Sequence, residues 1–199
     1  INRVRRGKVN TDVRIYDSSE IGVLQAGFNE MMRGLQERQR VSDLFGRYVG
    51  TEVARRALEE KPELGGETRH VAVLFVDVIG STGFATEKEP QHVVKALNEF
   101  FDRVVEVVHA NKGIINKFEG DAALAVFGAP LPLDDVAGHA LAAARELKAK
   151  LQGLEFAAGV GVAAGSVVAG HIGAKDRFEY TVIGDAVNEA ARLTELAKD

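Results

Sequence analysis

Two aspartates, Asp77 and Asp121, stand where runs of strand character break. Val71-Ala-Val-Leu-Phe-Val76 runs into Asp77, and Asp121 lies between Ile115-Asn-Lys-Phe118 and Ala122-Ala-Leu-Ala-Val-Phe127. A continuous apolar, β-branched run suits a strand buried on both faces. A charge at the end of such a strand needs a partner, and a divalent cation is one of the few that two carboxylates could share. After Asp77 come Val78 and then Ile79-Gly80-Ser81-Thr82, small residues whose backbone N–H groups, ahead of a helix, could cradle a polyphosphate. The pattern points to two-metal chemistry on a phosphate compound.

To position these groups, the chain from Glu67 on reads as strand 70–77, helix 90–111, strand 114–118, a tight turn at Glu119-Gly120 and strand 122–127. Helix 133–152, strand 156–163, a glycine-rich segment, strand 176–183 and helix 185–197 follow. Strands and helices interleave, but 114–127 has the pattern of an antiparallel hairpin. The expectation is therefore an α+β fold with a mixed or antiparallel sheet, not a doubly wound one. Ahead of this region, Ile21, Leu24, Phe28, Met31 and Leu35 recur at alternating three- and four-residue steps, a heptad seam. A lone helix of that kind is marginal, so it calls for a partner, most simply a second copy of the chain; packing on its own domain is the alternative. Helical pattern continues over 40–60, interrupted at Gly46 and Gly50, which are flex points or places of close packing, and Pro62 with Gly65-Gly66 closes it.

Composition excludes several other classes. The 199 residues are 46% hydrophobic, enough for a packed core, and the net charge of −4 offers no basic field for nucleic acid. Without cysteine there are no disulfides, thiolate metal sites or cysteine nucleophiles, and the five scattered histidines read as surface or packing residues rather than zinc ligands. No run approaches the roughly 18 apolar residues of a membrane span. The cluster Arg3, Arg5, Arg6, Lys8 and Arg14 is what a cytoplasmic segment just past a membrane helix would carry, with a solvated basic loop as the plainer reading.

Three segments, Phe75-Val-Asp77-Val-Ile-Gly-Ser-Thr82, Lys117-Phe-Glu-Gly-Asp121 and Tyr180-Thr-Val-Ile-Gly-Asp-Ala-Val-Asn188-Glu-Ala-Ala-Arg192, together resemble the catalytic domain of the class III nucleotidyl cyclases. The resemblance covers residues 68–199 and implies a ferredoxin-like βαββαβ core, C-terminally incomplete here. Val9 to Ile15, Asp17 to Gly22 and Phe28 to Met31 are similar to the connector and second helix of a HAMP signal-relay module, which assigns 1–40 to a partial HAMP domain and 41–67 to a transmission helix and linker.

The family resemblance further implies an adenylyl cyclase. Asp77 and Asp121, with backbone groups at Val78 and Ile79, would hold two divalent cations, Mg2+ or Mn2+, and Ile79, Gly80, Ser81 and Thr82 would hold the phosphates of ATP. Lys117 and Thr181 would read the adenine, where guanylyl cyclases carry acidic and small residues. Asn188 would place the ribose and Arg192 would stabilise charge on the α-phosphate; four apart, they share one helix face. The family also implies a head-to-tail homodimer, with the aspartates from one chain and Lys117, Thr181, Asn188 and Arg192 from the other, and Gly170 to Glu179 as the arm that reaches the partner. With the basic cluster, this places the whole protein at the cytoplasmic face of a membrane, anchored through a preceding region. A nucleotide-binding module without catalysis and a guanylyl cyclase are the competing readings.

Overall fold

The β-branched run becomes the central strand of a five-stranded sheet. In the computed structural model, which describes residues 13–14, 20–59 and 63–198, β1 spans Gly65–Val78. It pairs antiparallel on one side with β3 (Ala122–Phe127) and on the other with β4 (Ala158–Ala174). Strand β2 (Ile114–Glu119) lies outside β3, and β5 (Arg177–Ile183) outside β4, giving the order β2-β3-β1-β4-β5, antiparallel throughout. With the helices described below, the chain order contains βαββαβ, so the α+β expectation and its ferredoxin-like arrangement hold.

Burial on β1 alternates between two cores because side chains alternate across a sheet. Ala72, Leu74, Val76 and Val78 face one layer together with α4 (Pro90–Ala110) and α5 (Val136–Lys150). On α4, Phe100, Val104, Val107 and Val108 are fully buried at helical spacing, the apolar stripe that seats this helix. Val71 and Val73 face the opposite layer with Ala186 and Ala190 of α6 (Asp185–Leu196). Phe75 and Asp77 continue this second face by alternation. A short helix, α3 (Ser81–Glu87), follows β1 and begins after Gly80, whose φ of 74° is a left-handed conformation that glycine adopts without strain.

One expectation is corrected. A strand ending at 163 and followed by a glycine-rich segment is instead one long strand: β4 continues to Ala174, and β1 begins correspondingly early, at Gly65. The glycines cause the extension. A Cβ on Gly170 would lie 2.1 Å from the Gly65 carbonyl oxygen, and one on Gly66 would lie 2.7 Å from a Val168 methyl, so the two strands approach closely there because side chains are missing.

The chain divides into two units, Ile1–Ala54 and Arg55–Asp199. In the first, α1 (Glu20–Val49) passes through Gly46 unbroken. The break falls at Gly50, at φ 88°, and α2 (Thr51–Glu59) follows, so only one of the two glycines interrupts the helix. Asn29 of α1 clamps the backbone of Val13: its Oδ1 accepts from the Val13 N–H and its Nδ2 donates to the Val13 carbonyl, both at 2.8 Å. The seam residues Ile21, Leu24, Met31 and Leu35 are exposed. Arg3, Arg5, Arg6, Lys8, most of the connector-like stretch, residues 17–19 and Pro62 lie outside the described residues. No helix among the described residues is long and apolar enough to cross a membrane.

Helix α6 rests on glycine. A Cβ on Gly161 would meet the Ala190 carbonyl oxygen at 2.2 Å and the Thr194 backbone nitrogen at 2.5 Å, and one on Gly159 would meet the Thr194 carbonyl oxygen at 2.6 Å. Backbone atoms cannot yield as a side-chain tip can. Gly161→Ala is therefore expected to lower stability by about 1–3 kcal/mol, the usual cost of overpacking, read as a fall in denaturation midpoint. Gly83→Ala, with nothing within 4 Å of the added carbon, should leave the midpoint unchanged or slightly raised.

Candidate active site

Asp77 and Asp121 are brought to one end of the sheet by strand pairing. Asp77 is opposite Ala122 on β3 and Gly159 on β4. Ala122 also pairs with Glu119, which leaves Gly120 and Asp121 as a two-residue turn joining β2 to β3. Gly120 supplies the positive φ, 66°, that such a turn requires. Asp121 thus stands one step along the chain from the cross-strand partner of Asp77.

The environment of Asp77 is asymmetric. Its Oδ2 accepts a hydrogen bond from the Lys198 ammonium at 2.6 Å, while its Oδ1 is buried with no hydrogen-bond partner. Asp77, then Glu195, hold the Lys198 ammonium above the usual lysine pKa, against the opposing pull of burial. A buried carboxylate oxygen without a donor is costly, and either a hydrogen-bond donor or a second cation would satisfy it. Among the described residues no group of three or more His, Cys, Asp or Glu could hold a metal ion. What the protein offers is two carboxylates and main-chain oxygens, a donor set suited to a hard cation of the Mg2+ type that completes its shell with water and substrate phosphates.

The loop after Asp77 is only partly free. The Ile79 N–H donates to the Ala157 carbonyl at 2.8 Å and is thereby committed to the fold. Gly80, the N-cap of α3, provides no side-chain cap, so the amides of the first turn, which includes Ser81 and Thr82, have no capping side chain. Val78 is buried and pairs with Ala158.

Lys117 and Thr181 lie on strands at opposite edges of the sheet, and contacts of Lys117 and its neighbour Asn116 join those two strands. The Lys117 ammonium contacts the Glu179 carboxylate at 2.6 Å. One residue back, Asn116 accepts at Oδ1 from the Thr181 hydroxyl at 3.0 Å and donates from Nδ2 to the Tyr180 carbonyl at 2.8 Å. Sequence reasoning singled out Lys117 and Thr181 but not Asn116, Glu179 or Lys198. The available signal for Asn116 was an amide, a poor strand former, inside Ile114-Ile-Asn-Lys117.

Asn188 and Arg192 are exposed on α6. Buried Ala186, Ala190 and Thr194 mark the sheet side of that helix, and residues two further on are about 200° around it, on the far side. The structure therefore brings the aspartates to one end of the sheet, ties the strand of Lys117 to the strand of Thr181 through Glu179 and Asn116, and turns Asn188 and Arg192 away from the sheet face that carries Asp77.

Residues 65–199 match the adenylate and guanylate cyclase catalytic domain. The chain belongs to that family. It carries the catalytic domain of a nucleotide cyclase, a lyase. An uncharacterized protein of Mycobacterium tuberculosis is 56% identical over 200 residues, and so is one of Mycobacterium bovis; in both cases all of this chain is covered but only 37% of the relative, so the chain spans little over a third of their length. Among solved structures, the guanylyl cyclase Cya2 is 34% identical with a TM-score of 0.59, covering 67% of this chain and 73% of that one. The adenylyl cyclase CyaB from P. aeruginosa is 26% identical with a TM-score of 0.58, covering 67% and 75%. Relatives of both nucleotide specificities thus share the fold.

Proposed function

We propose that this chain is the catalytic part of an adenylyl cyclase, making 3′,5′-cyclic AMP and pyrophosphate from ATP at a site shared between two copies. The observation that carries the reading is that Lys117 and Asn116 of β2 engage Glu179 and Thr181 of β5 across the two sheet edges. Adenine presents an acceptor at N1 and a donor at its exocyclic amine, whereas guanine presents a donor and an acceptor there. A lysine with donors to spare beyond the one held by Glu179, with a hydroxyl on the strand that it contacts, suits the adenine edge.

In the reaction the ribose 3′-oxygen attacks the α-phosphorus while the bond to pyrophosphate breaks and the 3′-hydroxyl proton is lost. Asp77 and Asp121, with main-chain atoms of Val78 and Ile79, would hold two divalent cations, which supply charge neutralisation and a more acidic 3′-hydroxyl. The open first turn at Gly80, Ser81 and Thr82 would receive phosphate oxygens. Asn188 would orient the ribose, and Arg192 would offset charge building on the α-phosphate. Because Asn188 and Arg192 face away from the chain's own aspartates, the arrangement favours one set from each of two copies.

The exposed seam of α1 and the Asn29 clamp on Val13 support reading residues 1–40 as part of a HAMP module that pairs two chains and relays a signal, in a protein held at the membrane by a preceding region. Replacing Leu24 and Phe28 with Asp should then raise the protein concentration needed for half-maximal specific activity, since a helix pair cannot bury like charges at its seam. An unchanged concentration dependence would mean that the seam does not pair chains.

Incubation with ATP or GTP and Mn2+, with identification of the product, tests the nucleotide. Cyclic AMP should predominate. Asp77→Ala and Asp121→Ala should each leave less than about a tenth of the rate, with folding intact, because loss of a metal costs several kcal/mol of transition-state stabilisation. A preference for GTP, or retention of most activity by either variant, would contradict the assignment.

A further inference from the structure

Asn116 is the extra residue of a bulge in β2. Ile115 pairs with Ala125 and Lys117 with Leu124, so no residue of β3 stands opposite Asn116. A bulge re-aims a side chain. Here the amide reaches the far edge of the sheet and engages two consecutive residues of β5, donating from Nδ2 to the Tyr180 carbonyl and accepting at Oδ1 from the Thr181 hydroxyl. The Tyr180 carbonyl can only accept, so the amide seats in one sense alone, nitrogen toward Tyr180 and oxygen toward Thr181. That oxygen can also only accept, which consumes the single hydroxyl proton of Thr181. The Thr181 oxygen is left with lone pairs and nothing to donate, in a residue only 6% exposed.

We infer that Asn116 is a positioning residue for base selection, locking the Thr181 hydroxyl as an acceptor so that the site takes a base with an exocyclic amine and refuses one with a carbonyl at that place. The inference rests on the adenylyl reading of Lys117 and Thr181. A threonine hydroxyl with no partner turns to donate or accept as the ligand requires, so Thr181 alone would tolerate either purine. Asn116 removes that freedom. An oxygen of the base facing the Thr181 oxygen, with no proton between them, leaves a buried acceptor unpaired on each side.

The test is to measure dissociation constants for ATP and for GTP, in one divalent-ion buffer, with the whole chain and with Asn116→Ala, Asn116→Leu, Thr181→Val and the Asn116→Ala/Thr181→Val double variant. Wild-type protein should bind ATP more tightly than GTP. Asn116→Ala should shrink that ratio about tenfold, partly by a gain in GTP binding, as expected when one buried hydrogen-bond mismatch is relieved. Asn116→Leu, which fills the amide's volume without its polar atoms, should do the same. In the Thr181→Val background the Asn116 substitution should change the ratio no further, because Asn116 acts through that hydroxyl. A bulge that merely shaped β2 would weaken both nucleotides alike. If wild type favours ATP but the ratio is unmoved in both folded Asn116 variants, the inference is overturned and the adenylyl reading stands. If wild type favours GTP or binds both equally, the adenylyl reading fails and the inference with it.

Discussion

The seating of α6 on the glycines of β4 is the constraint from which the rest of the site follows. Gly159 and Gly161 let the helix backbone approach the sheet to distances at which an added Cβ would collide with main-chain atoms, and Ala186 packs over Gly165 in the same lane. That seating fixes the rotation of the helix. Ala186, Ala190 and Thr194 point inward, the Thr194 hydroxyl lying 2.9 Å from the Ala190 carbonyl of its own helix and 3.3 Å from the Phe75 carbonyl of β1, while Asn188 and Arg192 point outward. It also delivers Lys198, just past the helix end, to Asp77.

A second constraint links the sheet's outer strands. Asn116 with Thr181 and Lys117 with Glu179 tie β2 to β5, although three strands lie between them in hydrogen-bonding order. The Lys117–Glu179 pair, with Glu179 well exposed, contributes modestly to stability. Its consequence is geometric, since it holds the lysine against β5, the strand that carries Thr181. The carboxylates, the β2–β5 contacts of Asn116 and Lys117, and the α6 residues Asn188 and Arg192 therefore occupy different places on one chain.

Much of this was legible in the sequence where the signal is local. The apolar run into Asp77, the Glu119-Gly120 turn and the Gly184-Asp-Ala-Val-Asn188 entry to α6 identify their elements within a few residues, the turn itself falling one residue later, at Gly120-Asp121. The glycine-rich stretch after 163 misled because glycine usually marks a break; here it continues β4, since its partner strand and α6 both need the missing side chains. Asn116 and Lys198 could not be assigned from sequence. Their partners lie 64 to 65 and 121 residues away, and the one local signal, an amide inside the strand-forming run at Asn116, does not name a partner.

The central claim is that one chain holds two complementary half-sites that face apart, so that catalysis needs two copies. Mixing Asp77→Ala protein with Arg192→Ala protein tests it most directly. Random exchange makes about half the dimers mixed, and each mixed dimer has one intact site, so two nearly inactive preparations should together recover roughly a quarter of the wild-type rate. A rate no greater than the sum of the two residual activities, after subunit exchange has been verified, would contradict the claim and return the whole site to a single chain.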